Sequence, residues 1–169
     1  IIMRITFIGS SHGIPEPNRK CSCTMVEIKG RYYFIDMGTP AIDHIVTAGI
    51  PIDAVKGVFI THMHGDHTNG LIHFVDLISW YFKTSDPTIF LPTDQDFPVI
   101  AKERETDLIV CEGAHFYATD YLPHLRECKT KLIYVNHYQS KKIPSILQLA
   151  EDMGDIPVKL AYDGREIIL

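Results

Sequence analysis

The chain has 169 residues, which suits one domain with a hydrophobic core and is too short for two domains of ordinary size. Its hydrophobic content of 46% and charged content of 22% are those of a globular protein, so disorder is not indicated. The formal net charge is −5, which excludes a global basic surface and leaves no strong signal for DNA binding. No apolar run approaches the roughly 20 residues of a membrane helix. We therefore expect a single domain over residues 1–169 that does not enter a membrane.

The four cysteines fit neither a paired zinc motif nor a small disulfide framework. They are Cys21, Cys23, Cys111 and Cys128. We predict reduced thiols in a cytoplasmic protein. The oligomeric state is left open, with a homodimer as one alternative.

Hydrophobic periodicity predicts an α+β fold with an early sheet and a second half of alternating strands and helices. In chain order, strands are predicted at residues 4–9, 23–28, 31–36, within 53–61, and at 88–91, 107–112, 131–136, 158–162 and 165–169. Helices are predicted at 40–48, 68–83, 98–104, about 120–128 and 143–153. Lys29-Gly30 and Asp163-Gly164 are both typical hairpin turns, so we expect the last two strands to form a hairpin.

Directly after the strand within 53–61 comes the densest group of metal-binding side chains, spaced H-x-H-x-D-H. Side chains two apart on an extended chain point to the same side, so His62 and His64 can share one ion. The glycine that follows permits a sharp change of direction, after which Asp66 and His67 can reach a second ion. Imidazole and carboxylate suit zinc, with manganese or iron as alternatives. We therefore predict two divalent metal ions.

A second candidate ligand lies in the other half of the chain. His137 follows the apolar strand predicted at 131–136, as His62 follows the earlier one. This placement makes His137 the next metal candidate.

Several segments resemble the ribonuclease Z branch of the metallo-β-lactamase superfamily and its phosphodiesterase relatives. They are residues 4–9, 15–19 with Ser22-Cys23 behind them, 34–38, 62–67, 107–112, 136–137 and 161–164. The resemblance implies a four-layer αβ/βα sandwich, the metallo-β-lactamase fold, with a dinuclear site between two sheets. It also implies that His62 and His64 bind the first metal, and that Asp66, His67 and His137 bind the second.

The resemblance further implies an acid for the leaving group, formed by a glutamate at a strand end and a nearby histidine. Glu112 and His115 match these two by position, and Asp66 is the expected acceptor of the proton from the attacking water. The family has a histidine directly before this glutamate, where this chain has Cys111.

Two ligands that the resemblance implies are not found between His67 and His137: a further histidine on the first metal and an aspartate that bridges both. Either the protein retains half a site, or the chain lacks an internal segment. We favour a segment missing near residues 93–96, because the absent elements would all fall there.

The sequence thus predicts a hydrolase that uses a metal-activated water. The expected substrate is a phosphodiester, in RNA or in a small cyclic or nucleotide phosphate. One alternative is a hydrolase of a lactone, thioester or amide on the same scaffold. Another is a non-catalytic or redox metal module.

Overall fold

The computed structural model describes residues 2–84, 87–91 and 100–169. The chain divides into two compact units. Unit 1 comprises Ile1–Gln95 and Tyr162–Leu169, and unit 2 comprises Asp96–Ala161. Within the described ranges each unit has a hydrophobic core of its own. The segment predicted to be missing near residues 93–96 lies outside the described residues.

Strands and helices alternate in much of the described chain. The strands are β1 (Met3–Gly9), β2 (Cys23–Ile28), β3 (Arg31–Ile35), β4 (Val55–Phe59), β5 (Thr88–Phe90), β6 (Glu105–Thr106), β7 (Ile109–Gly113), β8 (Lys129–Thr130), β9 (Ile133–Tyr138), β10 (Val158–Leu160) and β11 (Glu166–Ile168). The α-helices are α1 (Ala41–Thr47), α2 (Gly65–Asp76), α3 (Ile100–Glu103), α4 (Leu122–Leu125) and α5 (Ile143–Met153). A π-helical turn, Leu77–Phe82, extends α2, and short 3₁₀ helices occupy Ile52–Ala54, Ala118–Tyr121 and Ser140–Lys142.

In unit 1 the described strands form a six-stranded sheet in the order β11-β1-β2-β3-β4-β5. Strands β11, β1, β2 and β3 pair antiparallel, and β3, β4 and β5 pair parallel. Helices α1 and α2 contribute Ile45 and Phe74 to one core with Phe34 and Val58 of the sheet. Because β3 and β4 are parallel neighbours, the residues that follow them meet at one edge of the sheet.

The hairpin predicted between β2 and β3 is confirmed. Lys29 and Gly30 have φ angles of 53° and 70°, so both turn residues are in the left-handed region. Two positive φ angles are what a type I′ turn requires, and its twist matches that of the flanking strands.

In unit 2 the described strands form two parallel sheets, β10-β9-β7 and β6-β8. Helix α5 has the bounds predicted for it, and its buried face packs Ile146 and Leu149 against Ile133 and Val135 of β9. Pro144 lies in the first turn of this helix, where a backbone N–H has no acceptor within the helix. Its missing N–H therefore costs no hydrogen bond.

The predicted hairpin around Asp163-Gly164 is wrong. Strand β10 pairs parallel with β9, whereas β11 pairs antiparallel with β1. The Asp-Gly pair does form a turn, but its carboxylate accepts hydrogen bonds from the N–H groups of Ser10 and Lys20 rather than closing two neighbouring strands. A local turn signal therefore does not determine which sheet each flanking strand joins.

Several helix boundaries also differ from the prediction. Helix α2 begins at Gly65 rather than near Thr68, because His67 is buried and continues the apolar stripe of Gly70 and Phe74 by one further turn. The helix predicted at about 120–128 is shorter, a 3₁₀ turn followed by α4. Residues 98–99 of the predicted helix 98–104 lie outside the described residues, and α3 covers the rest of it as far as Glu103.

Candidate metal centre

The candidate metal centre of unit 1 lies where β4 ends and α2 begins. The chain leaves β4 at Phe59, and His64 caps α2 in an extended conformation, with φ −65° and ψ 151°. Asp66 and His67 then occupy the first helical turn. A short connection between a buried strand and a helix thus carries all four predicted ligands of this unit.

The start of α2 is held against the loop that follows β3 by close main-chain contact. The N–H of Met37 donates to the carbonyl of His67 (2.8 Å), and the N–H of Gly70 donates to the carbonyl of Met37 (2.7 Å). A Cβ at Gly38 would lie 1.6 Å from the carbonyl oxygen of Asp66. Only glycine permits this approach, which fixes the helical turn that bears Asp66 and His67.

The predicted ligands of unit 1 form one cluster. The ring centroid of His62 lies 4.7 Å from that of His64 and 3.8 Å from that of His67. Oδ2 of Asp66 lies 3.3 Å from Nε2 of His67. His67 is buried and the side chain of Asp66 is 12% exposed, so the cluster is only partly open to solvent.

Asp36, directly after β3, contacts His67 of this cluster. Its carboxylate is buried and accepts hydrogen bonds from the backbone N–H of Thr61 (2.8 Å) and the Thr61 hydroxyl (2.9 Å). Oδ2 lies 2.6 Å from Nδ1 of His67. With the Asp36 carboxylate as the acceptor of this hydrogen bond, Nδ1 carries the proton and the lone pair of His67 is on Nε2, the atom that faces Asp66.

These side chains fit a divalent metal ion. Three imidazoles and a carboxylate are the donor set of zinc, manganese and iron sites, and a ligating histidine typically donates its other N–H to a carboxylate. His62 and His64 would hold one predicted ion and Asp66 and His67 the other, while Asp36 would fix the tautomer of His67. The number of ions and their identity stay predictions.

The predicted acid pair in unit 2 is in contact. Oε2 of Glu112 accepts hydrogen bonds from the N–H groups of Ala114 (2.7 Å) and His115 (3.0 Å), and it lies 3.4 Å from Nδ1 of His115. Oε1 accepts a hydrogen bond from the hydroxyl of Tyr121 (3.0 Å). The geometry therefore joins Glu112 to both the backbone and the ring of His115.

Burial would raise the pKa of Glu112, but the hydrogen bonds from His115, Ala114 and Tyr121 and the nearby His115 ring outweigh it and lower the pKa below its usual value. Burial beside this carboxylate raises the pKa of Cys111 to about 12 and also raises that of Tyr121. Glu112 is thus held as an anion between two neutral neighbours. This carboxylate lies 3.4 Å from Nδ1 of His115 and so helps to orient that ring.

His137 lies on an irregularity of β9 rather than after its end. Asn136 pairs with Glu112 and Tyr138 pairs with Gly113, so His137 is the extra residue of a β-bulge, with φ 51°. A bulge re-aims a side chain relative to the strand. His137 is buried, its ring lies 5.7 Å from that of His115, and ligand atoms of Glu112, His115 and His137 lie within 4.8 Å of one another.

The sequence did not single out four residues that shape these clusters. Asp36 and Thr61 contact His67, Thr61 also contacts His62, and Tyr121 and Lys142 hold the segment around His115. Asp36 had a recognisable signal, a carboxylate at the end of the strand predicted at 31–36. The other three had none, because Thr, Tyr and Lys are common in loops and on helix surfaces.

The remaining expectations concern the thiols and the membrane. All four cysteines are free thiols and are buried, and burial raises the pKa of each. Within the described residues, no helix combines the length and the hydrophobicity needed to cross a membrane.

Comparison with solved structures confirms the fold predicted from the sequence. YhfI of Bacillus subtilis, a metallo-β-lactamase fold protein, is 13% identical to this chain, with a TM-score of 0.69 and coverage of 100% of both chains. The short form of human tRNase Z is 14% identical, with a TM-score of 0.64 over 97% of this chain and 98% of the other. The chain therefore has the metallo-β-lactamase fold, with its cluster of histidines and aspartate after β4.

Among proteins of this fold, the chain belongs to the family described as anti-Pycsar protein Apyc1, whose model matches residues 3–147. Ribonuclease Z of Methanococcus maripaludis is 25% identical over 148 residues, which are 85% of this chain and 45% of the relative. The predicted resemblance to the ribonuclease Z and phosphodiesterase branch is thereby confirmed. The chain spans less than half the length of the curated relatives that it matches.

Proposed function

We propose that this protein is a metal-dependent hydrolase that cleaves phosphodiesters. The observation that carries the proposal is the cluster of His62, His64, Asp66 and His67, with His67 oriented by Asp36 at 2.6 Å. The names of the ribonuclease Z relatives support the choice of substrate class. RNA and small cyclic or nucleotide phosphodiesters are both compatible with it.

The proposed ligands are those of the sequence prediction, namely His62, His64, Asp66, His67 and His137. When bound, divalent ions supply a water of lowered pKa and neutralise charge on the phosphoryl oxygens. A carboxylate oxygen of Asp66 accepts the proton of the attacking water. Asp36 keeps Nδ1 of His67 protonated, so that Nε2 is the donor atom throughout the reaction.

The proposed acid is His115, supported by Glu112. Nδ1 of His115 lies 3.4 Å from Oε2 of Glu112. The proton that His115 delivers is therefore the one on Nε2. The phosphorus–oxygen bond to the leaving alcohol breaks, the oxygen takes that proton, and the imidazolium becomes imidazole. A positioned acid of this kind contributes a rate factor of roughly 10²–10⁴.

The negative charge of the substrate has to be balanced by positive groups at the site itself, because the chain carries a net charge of −5. Long-range attraction of a polyanion such as RNA is therefore weak. A small phosphodiester depends less on such attraction than a long RNA does. A single domain over residues 1–169, a homodimer and a cytoplasmic location stay predictions beside this proposal.

The test is a substrate panel with the protein loaded with zinc or manganese. We expect hydrolysis of bis(p-nitrophenyl) phosphate and of a cyclic nucleotide or a short RNA, and none of a lactone or a thioester. His64→Ala removes a proposed ligand and serves as the inactive control. If the protein cleaves lactones or thioesters but no phosphodiester, the alternative hydrolase class is correct. If it binds metal but turns over no substrate, a non-catalytic module is favoured.

A further inference from the structure

The segment 113–117 of unit 2, here the His115 loop, is held through its main chain from two sides. On one side, Oε2 of Glu112 accepts the N–H groups of Ala114 and His115 at 2.7 and 3.0 Å. This carboxylate fixes the donors of the turn, and the same oxygen lies 3.4 Å from Nδ1 of the His115 ring. The position of the ring thus depends on the conformation of the loop.

On the other side, the ammonium group of Lys142 donates hydrogen bonds to carbonyl oxygens of the loop. Nζ donates to the carbonyl oxygen of Ala114 and to that of Phe116, the latter at 2.9 Å. These are the two residues that flank His115 in the sequence. Nζ also lies 4.7 Å from the ring centroid of Tyr117, within the range of a cation–π contact.

Lys142 is itself anchored at the start of α5. Its carbonyl accepts a hydrogen bond from the hydroxyl of Ser145 (3.0 Å), and that hydroxyl accepts one from the N–H of Ala118 just beyond the loop (3.2 Å). The side chain of Lys142 is half-buried, whereas that of its neighbour Lys141 is exposed. The ammonium is therefore placed by a rigid helix start and is directed at main-chain oxygens.

We propose that Lys142 is a positioning residue for His115. By binding the carbonyls of Ala114 and Phe116 it keeps the loop closed, and the closed loop keeps Nδ1 of His115 on Glu112. The inference rests on the proposed role of His115 as the acid of phosphodiester cleavage. Lys142 does not itself deliver a proton to the substrate.

The role of Lys142 follows from the hydrogen-bond geometry of the loop. Without the ammonium, two carbonyl oxygens on either side of His115 lose their charged donor, and hydrogen bonds to charged groups are the stronger ones in proteins. The loop then samples open conformations in which Nε2 of His115 no longer meets the leaving oxygen. A displacement of about 1 Å is enough to cost on the order of 100-fold in rate.

The kinetic test compares two substrates that differ in their need for an acid. p-Nitrophenolate leaves without a proton, whereas the alkoxide of a nucleoside needs one. For Lys142→Met we expect a fall in kcat of about 10- to 100-fold on a nucleoside phosphodiester, with little change in KM, and less than about a threefold fall on bis(p-nitrophenyl) phosphate. Lys141→Met, one residue away and exposed, is the matched control and should behave as wild type on both.

A conservative variant and a double variant sharpen the result. Lys142→Arg keeps a charged donor that can span two carbonyls, so it should recover most of the lost rate. In a His115→Ala background, Lys142→Met should cause no further selective loss. An equal loss on both substrates for Lys142→Met, or an added loss in the His115→Ala background, would overturn the positioning role.

The failure of this inference can be told from failure of the proposed function. If His115→Ala shows no selective loss on the nucleoside substrate, the acid assignment is wrong and the role of Lys142 falls with it. If His115→Ala is selective and Lys142→Met is not, only the inference about Lys142 is wrong. NMR signals of the His115 ring in metal-free protein give a readout independent of turnover: they should shift in Lys142→Met and stay in place in Lys141→Met.

Discussion

Oδ2 of Asp36 lies 2.6 Å from Nδ1 of His67, and both side chains are buried. The contact exists because β3 and β4 are parallel neighbours, with Ile35 beside Phe59, so the residues after the two strands meet. Thr61 completes it by donating its N–H and hydroxyl to the same carboxylate. A residue that is not itself a proposed ligand therefore sets which nitrogen of His67 is available to a metal.

Asp36→Asn should lower the affinity for zinc by about 10- to 100-fold, because loss of a carboxylate behind a ligating histidine typically has that effect. The amide keeps the shape of the side chain but no longer carries the charge that orders the Nδ1–H of His67. Zinc titration against a competing chelator measures the change. Asp43→Asn, on the exposed side of α1, is the control and should bind zinc as wild type does. Equal affinity in both variants would show that Asp36 supports the fold alone.

His64→Ala should reduce bound metal and abolish turnover while the protein stays folded, because His64 is exposed at the cap of α2 and is not part of either core. His73→Ala removes an exposed imidazole from the same helix and should change neither property. Metal analysis after dialysis, circular dichroism and turnover of bis(p-nitrophenyl) phosphate are the measurements. A fully active His64→Ala protein would remove the motif from the mechanism.

The clustering of the proposed ligands of unit 1 could be predicted because these side chains are concentrated in one short segment after an apolar strand. Their supporting residues could not, since support comes from pairing between strands that are distant in the sequence. Asp36 is next to the motif only because β3 and β4 pair in parallel. Lys142 is harder still, because its partners are main-chain oxygens, and every residue has one of those.

The errors in the prediction of the fold have a similar cause. Asp163-Gly164 is a turn, as expected, but the partner of each flanking strand is decided by which sheet edge is open to it. Periodicity placed the start of α2 too late because it counts apolar side chains, and the first buried position of this helix is His67. A buried polar residue such as His67 is where a hydrophobic pattern is expected to fail.

Gly38→Ala should destabilise unit 1 and weaken metal binding together. A Cβ at this position would lie 1.6 Å from the carbonyl oxygen of Asp66, so α2 has to move away from the loop after β3. Overpacking of this kind costs typically about 1–3 kcal/mol, and contact with backbone leaves little room to relax. Gly13→Ala is the matched control, since its Cβ would meet the Asp66 carboxylate at an ordinary 3.7 Å. Urea unfolding and zinc titration of both variants decide the matter, and equal stability would contradict the close packing.

Glu112→Gln should make the free energy of unfolding less dependent on pH in the acidic range. The folded protein holds the pKa of Glu112 below its ordinary value of 4.5, because the hydrogen bonds from His115, Ala114 and Tyr121 outweigh burial. A lowered carboxyl pKa adds stability above the ordinary value, and that stability is lost as the pH falls through the lower, folded value. The wild type should therefore exceed the variant by about 1–3 kcal/mol at pH 7, a range typical of hydrogen bonds to charged groups.

Urea unfolding in the presence of a chelator measures this difference across the pH range. The gap between wild type and Glu112→Gln should be widest near neutral pH and should narrow below pH 4.5 as the carboxylate takes up its proton. Glu151→Gln, exposed on α5, should show no such pH-dependent gap. A gap for Glu112→Gln that stays constant with pH would mean that the shape of the side chain, and not its charge, holds His115 in place.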